Sequence, residues 1–193
     1  VRWFRWAVAV YDRGYRLLHG LDRPEAQAGP LLRVERRHLW RARRLANGTV
    51  LRRGAPVGVL HLNPARALAL HAHGLSPRAI GFEGRRLFLA SLRVIAARAA
   101  DGGPLAPLEA YSATTLFHRR LPTLGFCPAV GARPICRRVV TGYERALLGA
   151  LHPAGAARLR GMARGEARQL WLSRAQLLSR YGSGAPAHTR GGA

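Results

Sequence analysis

The stretch "LANGTVLRRGAPVGVLHLNP", residues 45–64, holds a turn, a strand and a helix start in that order. Asn47-Gly48 is a strong hairpin signal, because both central residues of a type I′ turn need positive φ and these two tolerate it best. Val57 to Asn63 follows as a nearly all-apolar strand, the pattern of a central strand covered on both faces. Asn63-Pro64 then fits a helix N-cap with proline at the first helical position. Here the chain passes from antiparallel strands to mixed helices and strands.

Upstream, "LLRVERR" and "HLWRARRL" alternate partly and read as strands. Before them, Trp3, Trp6, Val10, Leu17 and Leu21 recur at helical spacing among Arg2, Arg5, Asp12, Arg13 and Arg16, so an N-terminal amphipathic helix is expected. Its charges exclude a membrane span and a secretory signal. Downstream, Ser76-Pro77 repeats the helix start. The longest helical segment, "GRRLFLASLRVIAARAA", puts Leu87, Phe88, Ser91, Leu92, Val94 and Ile95 on a broad arc opposite Arg86, Ala90, Arg93 and Ala97. "PLEAYSA" and "RPICRRVV" read as strands, with a short helix in "SATTLFHRRLPTLGF", residues 112–126, stopped near Pro122 and capped by Gly125. Thr141 to Glu144 and Ser173 with Gln176 are capping boxes. The expected class is α+β: one domain over residues 1–182, then a small, polar, disordered tail over 183–193.

In 193 residues, 32 basic side chains face 9 acidic ones, a formal charge of +23. Such a field draws anions. All the basic side chains are arginine, and Ala, Gly and Pro are abundant, so GC-rich coding accounts for part of the excess; it does not account for the shortage of Asp and Glu. Two cysteines, Cys127 and Cys136, form neither a disulfide framework nor a zinc motif. The first residue is Val rather than Met, as in a fragment or an alternative start.

The segments "ANGT-LRRGAPVGVLHLN", "SLRVIAA", "ATTLFHRRLPTLGF" and "LWLSRAQLLSRYG", in this order, resemble the YkoP-like domain over roughly residues 8–182. That is a small bacterial domain found alone or attached to polysaccharide deacetylases of the NodB type. The resemblance implies a place in the modification of cell-envelope polysaccharide, with no catalytic residues to carry over. The paired aspartates and the His-x-x-x-His metal pair of those deacetylases are absent from the sequence.

The residues themselves disclose no reaction. His61, His71 and His73 lie close in sequence, but His71 and His73 fall on different helix faces without Cys, Asp or Glu beside them, so no metal site is expected. Ser91 sits in an apolar arc where a small residue allows close packing, Ser173 is a cap, and no nucleophile elbow occurs. Glu83, Glu109, Glu144 and Glu166 are too scattered to pair for acid–base chemistry. The order of elements resembles the second half of the GNAT acetyltransferase fold, whose Gln/Arg-x-x-Gly-x-Gly/Ala loop offers backbone N–H groups to the pyrophosphate of acetyl-CoA. Arg78 and Gly81 stand in register, but Glu83 takes the place of Gly or Ala, and Phe117-His118 stands where those enzymes carry a tyrosine. Paired arginines are spread over every element without a recognition helix or an RNP strand, which argues against specific nucleic-acid binding.

The expectation is therefore a non-catalytic accessory or binding domain with no cofactor. It would engage an anionic glycan, a lipid-linked intermediate or a partner enzyme such as a deacetylase or glycosyltransferase. Acyl transfer from acetyl-CoA and non-specific nucleic-acid binding are the alternatives. The expected location is the cytoplasm, with residues 1–21 on the inner membrane face. Candidate ligand contacts are His61 and Asn63 at the strand end, Arg86 and Arg93 on the exposed helix face, and Thr114 and His118 on the following helix. Trp171 reads as a core anchor.

Overall fold

The structure, a computed structural model, describes residues 10, 13–72, 76–116, 118–131, 141–142, 145 and 166–183. Its frame is a six-stranded sheet in the order β1 (Gln27–Ala28), β2 (Leu32–His38), β5 (Pro56–Leu62), β6 (Ala110–Thr115), β8 (Arg168–Ser173) and β7 (Cys127–Pro128). Between β2 and β5 the chain forms a separate pair, β3 (Arg43–Arg44) with β4 (Val50–Leu51). Three helices complete the described α+β fold: α1 (Pro64–Ala72), α2 (Pro77–Ala99) and α3 (Arg174–Tyr181), and residues 13–18 are helical as well.

Every pairing in the large sheet is antiparallel except that of β5 with β6. Parallel neighbours need a long crossover, which α1 and α2 supply. Helix α2 has 23 residues, about 35 Å at 1.5 Å per residue, enough to return the chain to the start of the next strand. Asn63 caps α1 by accepting from Arg66 N at 3.4 Å, and Ser76 caps α2 by accepting from Ala79 N at 3.3 Å. Leu92, Ile95, Ala96 and Ala99 of α2 bury against Leu32, Val34, Leu60, Tyr111, Ala113, Leu170 and Leu172. Val94, expected on the buried arc, is exposed, and Ala96 and Ala99 take the contact because small residues let the helix sit close to the sheet.

Helix α2 comes close to the turn between β1 and β2 at Ser91. Its hydroxyl donates to Leu87 O at 2.9 Å and accepts from Leu31 N at 3.0 Å. Gly29, at φ +85°, lies so near that a Cβ there would stand 2.6 Å from Ser91 Cα.

The opposite face has a smaller apolar cluster, where Leu39, Leu45, Leu51 and Ala55 of the hairpin region cover Val57, Ala110 and Trp171. The turn differs from the expected type I′. Gly48 N donates to Leu45 O at 3.0 Å, Leu45 N donates to Thr49 O at 2.8 Å, Gly48 has φ +87° and Asn47 does not have positive φ. This is a three-residue loop with Gly in the left-handed position, the other common way to join two strands. Asn47 instead accepts from Thr49 N through its side chain at 3.1 Å. "HLWRARRL" is split: His38 ends β2, Arg43–Arg44 form β3 and Leu45 makes a bridge to Ala129, since the chain leaves the large sheet after His38 to enter the small one.

Two further expectations change. Thr114 and Thr115 belong to β6, and the short helix after them is a pair of 3-10 turns, His118–Arg120 and Pro122–Leu124, because Pro122 starts a new turn where it would break a longer helix. Gly125 ends the second turn at φ +92° and Phe126 returns to the core. Of the N-terminal amphipathic helix's expected apolar face, Val10 and Leu17 are exposed and Leu21 is buried, while Tyr15 turns toward the sheet. Most of that helix, His73, Cys136, the strand expected at "RPICRRVV", part of the Thr141–Glu144 box and all of the tail beyond Ser183 lie outside the described residues.

Gly29→Ala is expected to destabilise by roughly 2–4 kcal/mol, combining positive φ with the Ser91 clash. Gly48→Ala, where a Cβ meets nothing within 4 Å, should cost about 1 kcal/mol from φ alone. Urea unfolding of the two variants checks the difference.

Candidate functional site

Strands β5 and β6 pair only from Val57–Leu60 to Ala110–Ala113. Beyond that point His61 and Leu62 pair with β2, while Thr114 and Thr115 pair with β8. The two parallel strands thus separate at their carboxyl ends. In open sheets, such ends at a change of strand order are where ligands sit.

The face away from α2 carries the polar residues of this region. Along one row across the sheet stand Glu35, Val59, Ser112 and Trp171; along the next stand Arg33 and His61, with Thr114 and Gln169 across the separation. Ser112 is 1% exposed and Trp171 3%. Among the described residues neither Ser112 Oγ nor Trp171 Nε1 has a hydrogen-bond partner. Directly paired residues on one face lie within side-chain contact range, so the two residues that carry these unsatisfied atoms are neighbours at this row. Each costs roughly 1–3 kcal/mol while unmade.

On β2, separated from β6 by β5, Glu35 is 5% exposed and organises four donors. Its Oε2 accepts from His61 Nε2 at 2.9 Å and from Tyr15 Oη at 3.3 Å. Its Oε1 accepts from His19 Nδ1 at 2.8 Å and from Arg37 Nε at 2.5 Å. Arg37 also donates to Tyr15 Oη at 2.7 Å. Burial alone would raise the Glu35 pKa, but the hydrogen bonds from His61 and Arg37 and the Arg37 charge outweigh it and hold the carboxyl at about 2. Burial likewise disfavours the charged Arg37, and the bond to Glu35 more than restores it, raising its pKa. An ionised carboxylate only accepts, so the facing nitrogens of His61 and His19 carry the protons. Both sides of the pair are thereby fixed.

The expected contacts fall into two groups. His61, Asn63, Thr114 and His118 gather around the carboxyl ends of β5 and β6. His61 bonds to the Glu35 carboxylate rather than to backbone, and buried Asn63 donates to Gln27 Oε1 at 3.3 Å while capping α1. His118 follows β6 on a 3-10 turn, and burial, then Arg168 and Arg119, push its pKa down against the backbone of Thr115 and Glu166. Arg86 and Arg93 do not join them. Arg86 is bound to Glu83 at 2.6 Å on the surface of α2, which lowers the Glu83 pKa, and Arg93 is exposed on the same helix.

Glu35, Tyr15, His19, Arg37 and Ser112 were absent from the sequence reading as site residues. One signal was present: Glu35 is an acid at the centre of a strand, two residues from Arg33 and Arg37 on the same face, in a chain with few acids to spare. Trp171 does anchor the smaller cluster, as expected, but with its N–H unmatched. Among the described residues no group of three or more His, Cys, Asp or Glu side chains is arranged to hold a metal ion, and no helix is long and apolar enough to cross a membrane.

A family model described as the YkoP domain matches residues 1–181. No curated protein and no solved structure matches the chain.

A carboxyl whose folded pKa lies near 2, against an ordinary 4.5, stabilises the fold above about pH 4.5 and loses that contribution as pH falls toward 2. Glu35→Gln should therefore cost about 3 kcal/mol at pH 7. The gap between the two proteins should close between pH 4.5 and 2 in chemical denaturation; a gap that stays constant over that range contradicts the assignment.

Proposed function

The chain belongs to the YkoP domain family, and from that premise we propose that it is a non-catalytic binding domain serving the modification of bacterial cell-envelope polysaccharide. Its ligand would be an anionic glycan, held free or on a lipid carrier, and a deacetylase or glycosyltransferase of the envelope its partner enzyme. The observation that supports this most is the buried pair Ser112 Oγ and Trp171 Nε1, left without partners beside Thr114 and His61. Indole N–H is a donor only, so its partner must be an acceptor, and Ser can orient its hydroxyl to suit. An oxygen-rich ligand meets both. Arg119, Arg120 and Arg168 around His118 give the same end of the sheet a cationic rim, which favours carboxylate- or phosphate-bearing sugars.

The state of Glu35 supports a binding role over an acid–base one for this carboxylate. With both oxygens occupied and a pKa of about 2, it can neither donate a proton near neutrality nor accept one usefully. It serves as a fixed anion that orients two imidazoles.

Acyl transfer remains a second reading because of one observation: β5 and β6, joined by a helical crossover, separate at their carboxyl ends. Against it, Arg78, Gly81 and Glu83 lie within α2 rather than in a loop. Backbone N–H groups from Gly81 onward are engaged in the helix and are not presented to a pyrophosphate.

Titration calorimetry with an oligosaccharide bearing N-acetylmuramic acid, and with teichoic acid, tests the first reading. Micromolar to millimolar binding is expected, weakened roughly tenfold by Trp171→Phe, in line with a lost buried hydrogen bond. Absence of binding to both, or unchanged affinity in the variant, overturns it. For the second reading, a thermal shift with acetyl-CoA at millimolar concentration is the discriminating measurement, and none is expected.

A further inference from the structure

Between Glu35 and Glu83 the chain has no acidic residue, and that interval contains the whole β3–β4 hairpin. Arg41, Arg43, Arg44, Arg52 and Arg53 crowd onto it, and among the described residues none of their side chains makes a hydrogen bond or ion pair. Arg41 rests its guanidinium 4.2 Å from the centre of the Trp40 ring, and Trp40 is 69% exposed.

Apolar side chains stand among these charges. Arg44 pairs with Val50 on one side, and on the other its carbonyl accepts from Val130 N at 2.8 Å, next to the Leu45–Ala129 bridge. Val50, Arg44 and Val130 are thus abreast on the outer face, with Val50 56% and Val130 61% exposed. The platform is firmly seated. Leu39, Leu45, Leu51 and Ala55 bury beneath it, and Leu39 and Ala46 tie it to Ala55 and Pro128 by backbone bonds of 2.9 Å.

We propose that this hairpin docks the domain on an anionic membrane surface, with Trp40, Val50 and Val130 entering the interface and the arginines meeting lipid phosphates. Charge complementarity selects an anionic partner. The choice of lipid over a soluble polyanion rests on the valines: they stack on neither sugar nor base, whereas an interface accepts them, and Trp settles at headgroup depth. The surface lies apart from residues 1–21 in sequence and does not rest on the glycan reading.

The test is sedimentation of the full chain with vesicles of phosphatidylcholine containing 30% phosphatidylglycerol, alongside phosphatidylcholine alone. Binding only to the anionic vesicles is expected, falling at least tenfold when Arg44, Arg52 and Arg53 are all replaced by Gln, with circular dichroism unchanged. In a Trp3→Phe, Trp6→Phe background, lipids brominated on the acyl chain should quench fluorescence, and Trp40→Leu should abolish the quenching. The proposal is overturned by loss of binding on removal of residues 1–9 but not in the arginine variant, by binding without quenching, or by retention of heparin-agarose binding without vesicle binding. Failure of the glycan titration leaves these readouts unaffected, so the two readings fail separately.

Discussion

The parallel pairing of Val57–Leu60 with Ala110–Ala113 is the constraint from which the architecture follows. A hairpin cannot make it, so the chain between must travel back along the sheet, and a helix of α2's length does so while burying one face. That helix must come close to the sheet, which explains Ala96, Ala99 and the Ser91–Gly29 contact at 2.6 Å from a would-be Cβ. The same pairing also sets the place where the sheet opens. Because β5 stays with β2 and β6 stays with β8, their last residues diverge and leave polar side chains at the ends.

The two faces of the sheet are therefore unequal. One is closed by α2 and α3 with a continuous apolar core. The other is divided: the hairpin covers Val57, Ala110 and Trp171, while Glu35 sits farther along with His61, Tyr15 and His19. A charged side chain on that row would be costly to bury alone. Four donors satisfy it, and two of them, Tyr15 and His19, come from outside the sheet. The N-terminal segment is thereby held by polar contacts as well as by the buried Leu21.

Much of the frame was legible in the sequence because local chemistry specifies it. Asn63-Pro64, Ser76-Pro77, Ser173 with Gln176 and Gly125 each mark an end whose backbone needs a particular partner or φ, and each occupies the place it announces. The turn type at Asn47-Gly48 was not legible, since the same dipeptide serves two loop geometries that differ by one residue of register. The site was legible only by halves. His61 and Asn63 could be placed at the end of β5 because strand ends can be read locally, whereas Thr114, expected on a helix, lies in β6 and His118 on a 3-10 turn. Glu35 with His19, and Ser112 with Trp171, meet through pairings between residues distant in sequence, and no local pattern encodes those.

The distribution of the few acids ties the fold to its surface. Asp22 is held by Arg33 at 2.6 Å, Glu35 by Arg37, Glu83 by Arg86 and Asp101 by Arg174 at 2.6 Å. Each of these carboxylates fixes a local piece of structure: Asp22 joins the segment before β1 to β2, and Asp101 joins the end of α2 to α3. Acids used in this way do not shield the arginines that lie elsewhere. The hairpin lies in the interval between Glu35 and Glu83, where the sequence has no carboxylate. A uniform arginine bias from coding would spread charge over the surface, but the placement of the acids leaves that hairpin's arginines unopposed. Any anion approaching the domain meets a field shaped by the residues that hold the fold together.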